Sequence, residues 1–461
     1  MRCFVNARAT LCVAAVALTC VACSGAGSTP ATPNTTGAQA FIKGIHRDSS
    51  SGKIQHVVII VQENRSFNNL FMGVPGAKTQ TYGYDTQGIQ IALKPIGLET
   101  TWDIDHSSSS FFSACNGTGS FPGTDCQMNG FDNEFYSCGR YGNPPCPNKN
   151  PPYSYVPRSE TKPYFQMAKY YTLADEMFAS NFDASSFISH QYIIAGQASS
   201  AVNYPGGSWG CAGGMGDQIG TVSEERQVPY GYEEACFQNT TLGDELDGAG
   251  LSWAFYASAL DRSGNIWSAY QAIKHIRDGP DWKKDIISPQ TNFLSDVANG
   301  NLRAVSWVTP TCATSDHSGC GSNQGPSWVA SLVNAVGESK YWDSTAIVIM
   351  WDDYGGWFDP VGPELVDYDG LGMRIPLLCI SPYAKEGHVS HAHYEHGSIL
   401  RFVEDQFGLA RLSASDTRAN SLVPDCFDLG QSPRAFQKIT APLDANFFLH
   451  APPDHRPPDT E

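Results

Sequence analysis

The chain has 461 residues, a formal charge of −17 and only 16% charged residues, with 44 glycines and 29 prolines. Acidity on this scale argues against a broad electrostatic grip on nucleic acid, so no nucleic-acid partner is expected. The length suits one large α/β catalytic unit with long loops better than a small binding module.

Residues 1–23 read as an export signal. Arg2 and Arg8 give the positive start, Leu11 to Leu18 the apolar run, and small residues follow. Val21-Ala22-Cys23 before Ser24-Gly25 fits a bacterial lipoprotein cleavage box with Cys20 where Leu is usual, and ordinary cleavage near Ala22 fits as well. Both place the protein outside the cytoplasm: secreted, periplasmic or anchored to the outer membrane. Residues 24–52, rich in Ser, Thr, Gly, Pro and Ala, read as a flexible linker. The catalytic domain is expected over 53–450 and a Pro-rich tail over 451–461.

The first strand is expected at Val57–Val61, a continuous apolar run that ends almost directly on Glu63-Asn64. Open α/β sheets bind ligands at such strand ends, and carboxylate and amide oxygens suit a hard metal ion. Residues 101–160, full of Ser, Gly, Pro, Asn and Cys, read as a loop insertion that carries Asp105-His106. A helix is expected at Lys162–Tyr171. The small residues Ala184-Ser185-Ser186 follow a strand-like segment and precede an apolar helical run from Tyr192 to Ala195. A hydroxyl at such a junction can sit on a helix N-terminus and meet a phosphoryl group. Residues 200–245 read as a second insertion.

Further strands are expected at Ala304–Val308, Ala346–Met350 and Pro376–Ile380, with helices at Trp328–Gly337 and Ser398–Phe407. Strands alternating with helices predict an α/β three-layer sandwich, its central sheet mostly parallel and flanked by helices. After Ala346–Met350 comes Trp351-Asp352-Asp353-Tyr354-Gly355-Gly356. Adjacent carboxylates behind a buried strand are costly unless a cation or donors meet them. With Glu63-Asn64 they make three carboxylates and an amide, a shell for one divalent ion. All-oxygen ligands favour Ca²⁺, Mg²⁺ or Mn²⁺ over zinc. His106, His317 and His396 stand in or beside loops at strand ends, where an imidazole can hydrogen-bond a phosphoryl oxygen or protonate a leaving group.

Ten cysteines lie outside the leader. In an exported chain they suggest disulfides that staple the loop insertions. The pairings expected are Cys115–Cys126, Cys138–Cys146, Cys211–Cys236 and Cys312–Cys320, while Cys379, in an apolar run, reads as a buried thiol.

Six ordered motifs carry a family resemblance: I-Q-H-V-V-I-I-V-Q-E-N-R-S-F at 54–67, L-A-D-E-M-F-A-S-N-F at 173–182, H-Q-Y-I-I-A-G-Q at 190–197, S-T-A-I-V-I-M-W-D-D-Y-G-G-W-F-D at 344–359, R-I-P-L-L-C-I-S-P-Y-A-K at 374–385 and Y-E-H-G-S-I-L-R-F-V-E-D at 394–405. The chain resembles the bacterial phosphoesterase family that includes non-haemolytic phospholipases C and an acid phosphatase, within the alkaline-phosphatase-like superfamily. The resemblance implies one divalent ion held by Glu63, Asn64, Asp352 and Asp353, with a nucleophilic hydroxyl completing the shell. Six residues before the family's tyrosine, that hydroxyl is Ser186, with Ser185 the fallback. His106 and His317 match histidines that contact the phosphoryl group, and His396 matches the histidine of a D-H-T-S or D-H-G-S stretch, with Glu395 replacing the Asp. Pro360 stands where relatives carry a histidine after the double glycine.

The expected function is phosphoric-ester hydrolysis through a phosphoseryl intermediate, on phosphomonoesters or phospholipids. A lipid anchor or a lipid substrate would bring the protein to a membrane surface. The alternative is a non-catalytic exported binding lipoprotein on the same fold.

Overall fold

The computed structural model describes residues 52–206 and 210–456. The expected leader (1–23), the expected linker except its last residue and the end of the tail (457–461) lie outside the described residues.

The core is a nine-stranded sheet. In chain order its strands are β1 (His56–Gln62), β2 (Thr172–Phe178), β3 (Trp253–Tyr256), β4 (Ile286–Ile287), β5 (Val305–Val308), β6 (Thr345–Trp351), β7 (Arg374–Ile380), β8 (His388–Ser390) and β9 (Tyr394–Glu395). Across the sheet the order is β4-β3-β5-β1-β6-β7-β2-β8, with β9 also pairing β2. Every pair is parallel except the two that β7 makes, with β6 and with β2. The four expected strands are present, each within a few residues of its expected ends. β1 and β6 are buried along almost their whole length, as an apolar run covered on both faces should be.

The helices that matter for the site are α1 (Phe67–Phe71), α2 (Lys162–Tyr170), α3 (Ser186–Ala195), α4 (Gly325–Gly337) and α5 (His396–Phe407). Four of them pack in two pairs, α2 with α4 and α3 with α5, while α1 packs on β7. Local chemistry sets their ends. Pro163 and Pro326 occupy first turns, where a missing N–H is harmless. Gly196 and Gly408 close α3 and α5 with positive φ. The expected start of α5 at Ser398 is corrected: Glu395 is the N-cap, in a reciprocal capping box with Ser398, so His396 is the first helical residue rather than a loop residue.

The two insertions are more ordered than simple loops. The first holds a helix at Ser108–Cys115, and the second a three-stranded sheet of Ala201–Val202, Gln218–Thr221 and Tyr232–Glu234. The four expected disulfides are formed, and Cys379 and Cys426 are buried thiols.

One buried ion pair ties the sheet to the site. Arg374, at the start of β7, makes a two-pronged contact with Asp359, at 2.9 Å to Oδ1 and 3.2 Å to Oδ2. The same carboxylate accepts the Asn68 N–H of α1 at 3.0 Å. Both ionic side chains are fully buried. Removing one partner leaves an uncompensated charge, so Asp359→Ala is expected to lower stability by about 3–5 kcal/mol. Urea denaturation checks this.

Candidate active site

The parallel pairing of β1 and β6 sets Gln62 opposite Trp351, so Glu63 and Asp352 leave neighbouring strand ends side by side. The Asp352 N–H donates to the Gln62 carbonyl at 3.1 Å, and the Asn64 N–H returns a bond to Asp352 Oδ1 at 3.1 Å. Asn64 adopts φ of 56°, a left-handed conformation that Asn tolerates better than most residues. Its side chain is thereby turned back across the strand ends. The double glycine that follows Asp353 allows the close packing. A Cβ on Gly355 would stand 2.2 Å from the Asn64 carbonyl oxygen, and one on Gly356 would stand 2.2 Å from Ile104 Cγ2. Gly355 and Gly356 also have φ of 59° and 73°, where a side chain is strained.

β2 runs parallel to β1, so its carboxyl end reaches the same edge and delivers Ser186 as the first residue of α3. Asn64 Nδ2 is the hub: it lies 2.9 Å from Asp353 Oδ2, 3.1 Å from Ser186 Oγ and 2.9 Å from His106 Nε2. Ser186 Oγ is 3.4 Å from Asp353 Oδ2. The neighbouring Ser185 hydroxyl is buried with no hydrogen-bond partner. Glu63, Asn64, Ser186, Asp352 and Asp353 are each fully buried.

The histidines divide. His106 Nδ1 bonds the Ile104 carbonyl at 2.8 Å, which puts its proton there and leaves Nε2 to accept from Asn64. His317 follows the end of β5, its Nδ1 on the Ser318 carbonyl, and its ring centre lies 5.9 Å from that of His106. His396 stands apart, on the Asp352 side. Burial drives its pKa down to about 4 against the opposing pull of Asp352, so it is neutral. Glu395 does not reach the cluster, because Arg418 holds both its oxygens at 2.8 Å. Pro360 occupies a half-buried turn after Asp359.

Two residues without a role in the sequence reading join the cluster. His190, one turn beyond Ser186, has Nε2 3.0 Å from Glu63 Oε1 and 3.8 Å from Asp352 Oδ2. Asp183 precedes α3, and burial pushes its carboxyl up to about 7 despite bonds from the Asn203 and Ser185 N–H groups. Their signals lie in the sequence: His190 opens the motif H-Q-Y-I-I-A-G-Q at 190–197, and Asp183 is three residues before Ser186.

The electrostatics call for a cation. Burial works against charge on Asp352, but the neighbouring His190 and the Asn64 N–H that its Oδ1 accepts help to outweigh it and hold this carboxyl below its usual range. Burial and the charge of Asp352 push the carboxyl of Asp353 well above it. Two adjacent buried carboxylates cannot both ionise without compensation. Asp352 Oδ2 and Asn64 Oδ1 are also buried with no hydrogen-bond partner, a costly arrangement that a bound ion would relieve. The donor set fits a divalent metal.

Comparison with known proteins agrees with the family resemblance. Haemolytic phospholipase C of Pseudomonas aeruginosa is 25% identical over 79% of this chain and 54% of its own length. Phospholipase C B of Mycobacterium tuberculosis is 24% identical over 77% of this chain and 74% of its own. The chain spans 54% to 60% of the length of the Pseudomonas and Burkholderia phospholipases C that it matches. A solved protein of the alkaline phosphatase superfamily from Vibrio parahaemolyticus aligns with 82% of this chain and 73% of its own, at 11% identity and a TM-score of 0.36, too low to add to the assignment. The phosphoesterase family model matches residues 54–410, nearly the whole described core, and the chain belongs to that family.

Proposed function

We propose that the protein is an exported, metal-dependent phosphoric-ester hydrolase that attacks its substrate through Ser186. The observation that carries this reading is one buried cluster: a serine hydroxyl at a helix N-terminus, within hydrogen-bond reach of Asp353 and Asn64, beside two further carboxylates. Glu63, Asn64, Asp352 and Asp353 would hold the ion. Bound there, a divalent ion offsets the carboxylate charge, lowers the proton affinity of a nearby hydroxyl and polarises a phosphoryl oxygen.

Asp353 Oδ2 is the acceptor nearest the Ser186 hydroxyl proton. Ser186 Oγ then forms a bond to phosphorus as the bond to the leaving oxygen breaks. The N–H groups at the start of α3 face the phosphoryl oxygens and favour their charge. His106 and His317, paired at the cluster's least buried side with Nδ1 of each on a backbone carbonyl, are placed to hydrogen-bond those oxygens once Nε2 takes up a proton, the Asn64 amide then giving up its bond to His106, and to pass that proton to the leaving oxygen. Water displaces Ser186 Oγ from phosphorus in a second in-line step and frees the enzyme. His396, beside Asp352 and neutral because burial lowers its pKa to about 4, supports the carboxylates rather than the leaving group.

The relatives' names support a phospholipid diester as substrate, and a phosphomonoester remains the competing choice. The four disulfides support an oxidising compartment. The test is a phosphoester panel run with elemental analysis: p-nitrophenyl phosphate, bis-p-nitrophenyl phosphate and phosphatidylcholine vesicles. Chelator-sensitive release of phosphate or phosphocholine is expected. A purified protein that hydrolyses none of them with any divalent ion added would sink the reading.

A further inference from the structure

His190 has no part in that mechanism, yet it stands in the same cluster. It lies four residues after Ser186 on α3, so both side chains leave one face of the helix a turn apart. Its Nε2 meets two carboxylates at once, Glu63 at 3.0 Å and Asp352 at 3.8 Å. The ligand-capable atoms of Glu63, His190 and Asp352 all lie within 4.8 Å of one another, and all three side chains are buried. Donors bonded to one ion at about 2.0–2.2 Å stand roughly 3–4.5 Å apart, which is this spacing.

A purely structural role accounts for less. A proton on Nε2 can point at Glu63, but it leaves Asp352 Oδ2 buried with no hydrogen-bond donor. An ion among the three atoms satisfies every one of them. Its ligand set is no longer all oxygen, and that changes the metal. Ca²⁺ and Mg²⁺ take oxygen ligands, whereas imidazole suits first-row transition ions.

We infer that His190 Nε2 is a ligand of the site's metal, beside Glu63 and Asp352, and that the site therefore selects a transition ion such as Mn²⁺, Fe²⁺ or Zn²⁺ over Mg²⁺ and Ca²⁺. The inference rests on the metal-dependent reading above, and it moves zinc, which an all-oxygen shell disfavours, ahead of Mg²⁺ and Ca²⁺.

The test is calorimetric titration of the chelator-stripped full chain with Mn²⁺, Zn²⁺, Mg²⁺ and Ca²⁺ in turn. The unsubstituted protein is expected to bind Mn²⁺ and Zn²⁺ more tightly than Mg²⁺ and Ca²⁺. His190→Ala should weaken Mn²⁺ and Zn²⁺ by roughly 10–100-fold or more and leave Mg²⁺ nearly unchanged. His190→Gln, which keeps a hydrogen-bond donor for Glu63, should not restore the loss. Pulsed paramagnetic resonance of the Mn²⁺-loaded unsubstituted protein should show hyperfine coupling to a directly bonded nitrogen, a readout that needs no variant to fold. Absence of that coupling, equal weakening of all four ions in His190→Ala, or recovery in His190→Gln would each overturn the inference alone. A protein that binds none of the four overturns the metal reading itself, and this inference with it.

Discussion

Ser186→Ala is expected to reduce phosphoester turnover by on the order of 10³-fold or more, with metal content and fold nearly unchanged. The size follows from chemistry: without the hydroxyl there is no oxygen to form the phosphoseryl bond, and only binding and charge stabilisation remain. The small structural effect follows from the hydrogen bonds. Asn64 Nδ2 loses one acceptor at 3.1 Å but keeps His106 and Asp353 at 2.9 Å each. One lost bond costs about 1 kcal/mol. Ser185→Ala is the control and should stay near the unsubstituted rate, because its hydroxyl has no hydrogen-bond partner. Single-turnover kinetics with p-nitrophenyl phosphate and elemental analysis decide the matter. Full turnover in Ser186→Ala removes that serine as the nucleophile, and a collapse in Ser185→Ala moves the assignment one residue back.

Asp352→Asn should abolish stoichiometric metal and, with it, the stabilisation that the ion confers. An ion present at 100 times its Kd adds about 2.7 kcal/mol to the folded state, and that increment should vanish from the variant's thermal denaturation. The metal-free variant should be no less stable than the metal-free parent. The amide oxygen of Asn can still accept the Asn64 N–H that Asp352 Oδ1 accepts at 3.1 Å. Removing one charge also relieves the repulsion that pushes the carboxyl of Asp353 well above its usual range. Retained stoichiometric metal in Asp352→Asn would refute the proposed shell. A metal-free variant that melts well below its metal-free parent would instead show that Asp352 is needed to hold the strand ends together.

These two experiments probe parts of the cluster that the sequence displays unequally. Glu63-Asn64 and Asp352-Asp353 were legible because each pair follows a continuous apolar run, and such a run reads as a strand covered on both faces. The alternation of strands and helices foretold the mostly parallel sheet. The sequence does not fix which cysteines pair; the local pairing expected is the one formed, the longest loop joining Cys211 to Cys236 across 25 positions. Ser186 was visible as a small residue at a strand-to-helix junction, but choosing it over Ser185 required the family's spacing to the tyrosine.

Other features left no local trace. An apolar run has no direction, so Arg374–Ile380 could not announce that it runs against its neighbours. The strand Trp253–Tyr256 did leave a trace but was not among the expected strands: its four residues are apolar and, like those of Val305–Val308, all buried. His190 lies in a helix whose ten residues are all buried, so no polar face marks it. Its importance comes only from the register that sets Gln62 opposite Trp351.

By itself the sequence determined the strands β1, β5, β6 and β7, the paired carboxylates and the family, because those are written in contiguous residues. Tertiary structure alone decided that Glu63 and Asp352 are neighbours, that Asn64 turns back to meet Ser186 and His106, and that His190 joins them. Each of those contacts links segments at least 42 residues apart. Sheet register and close glycine packing bring them together, and neither is encoded in any one stretch of chain.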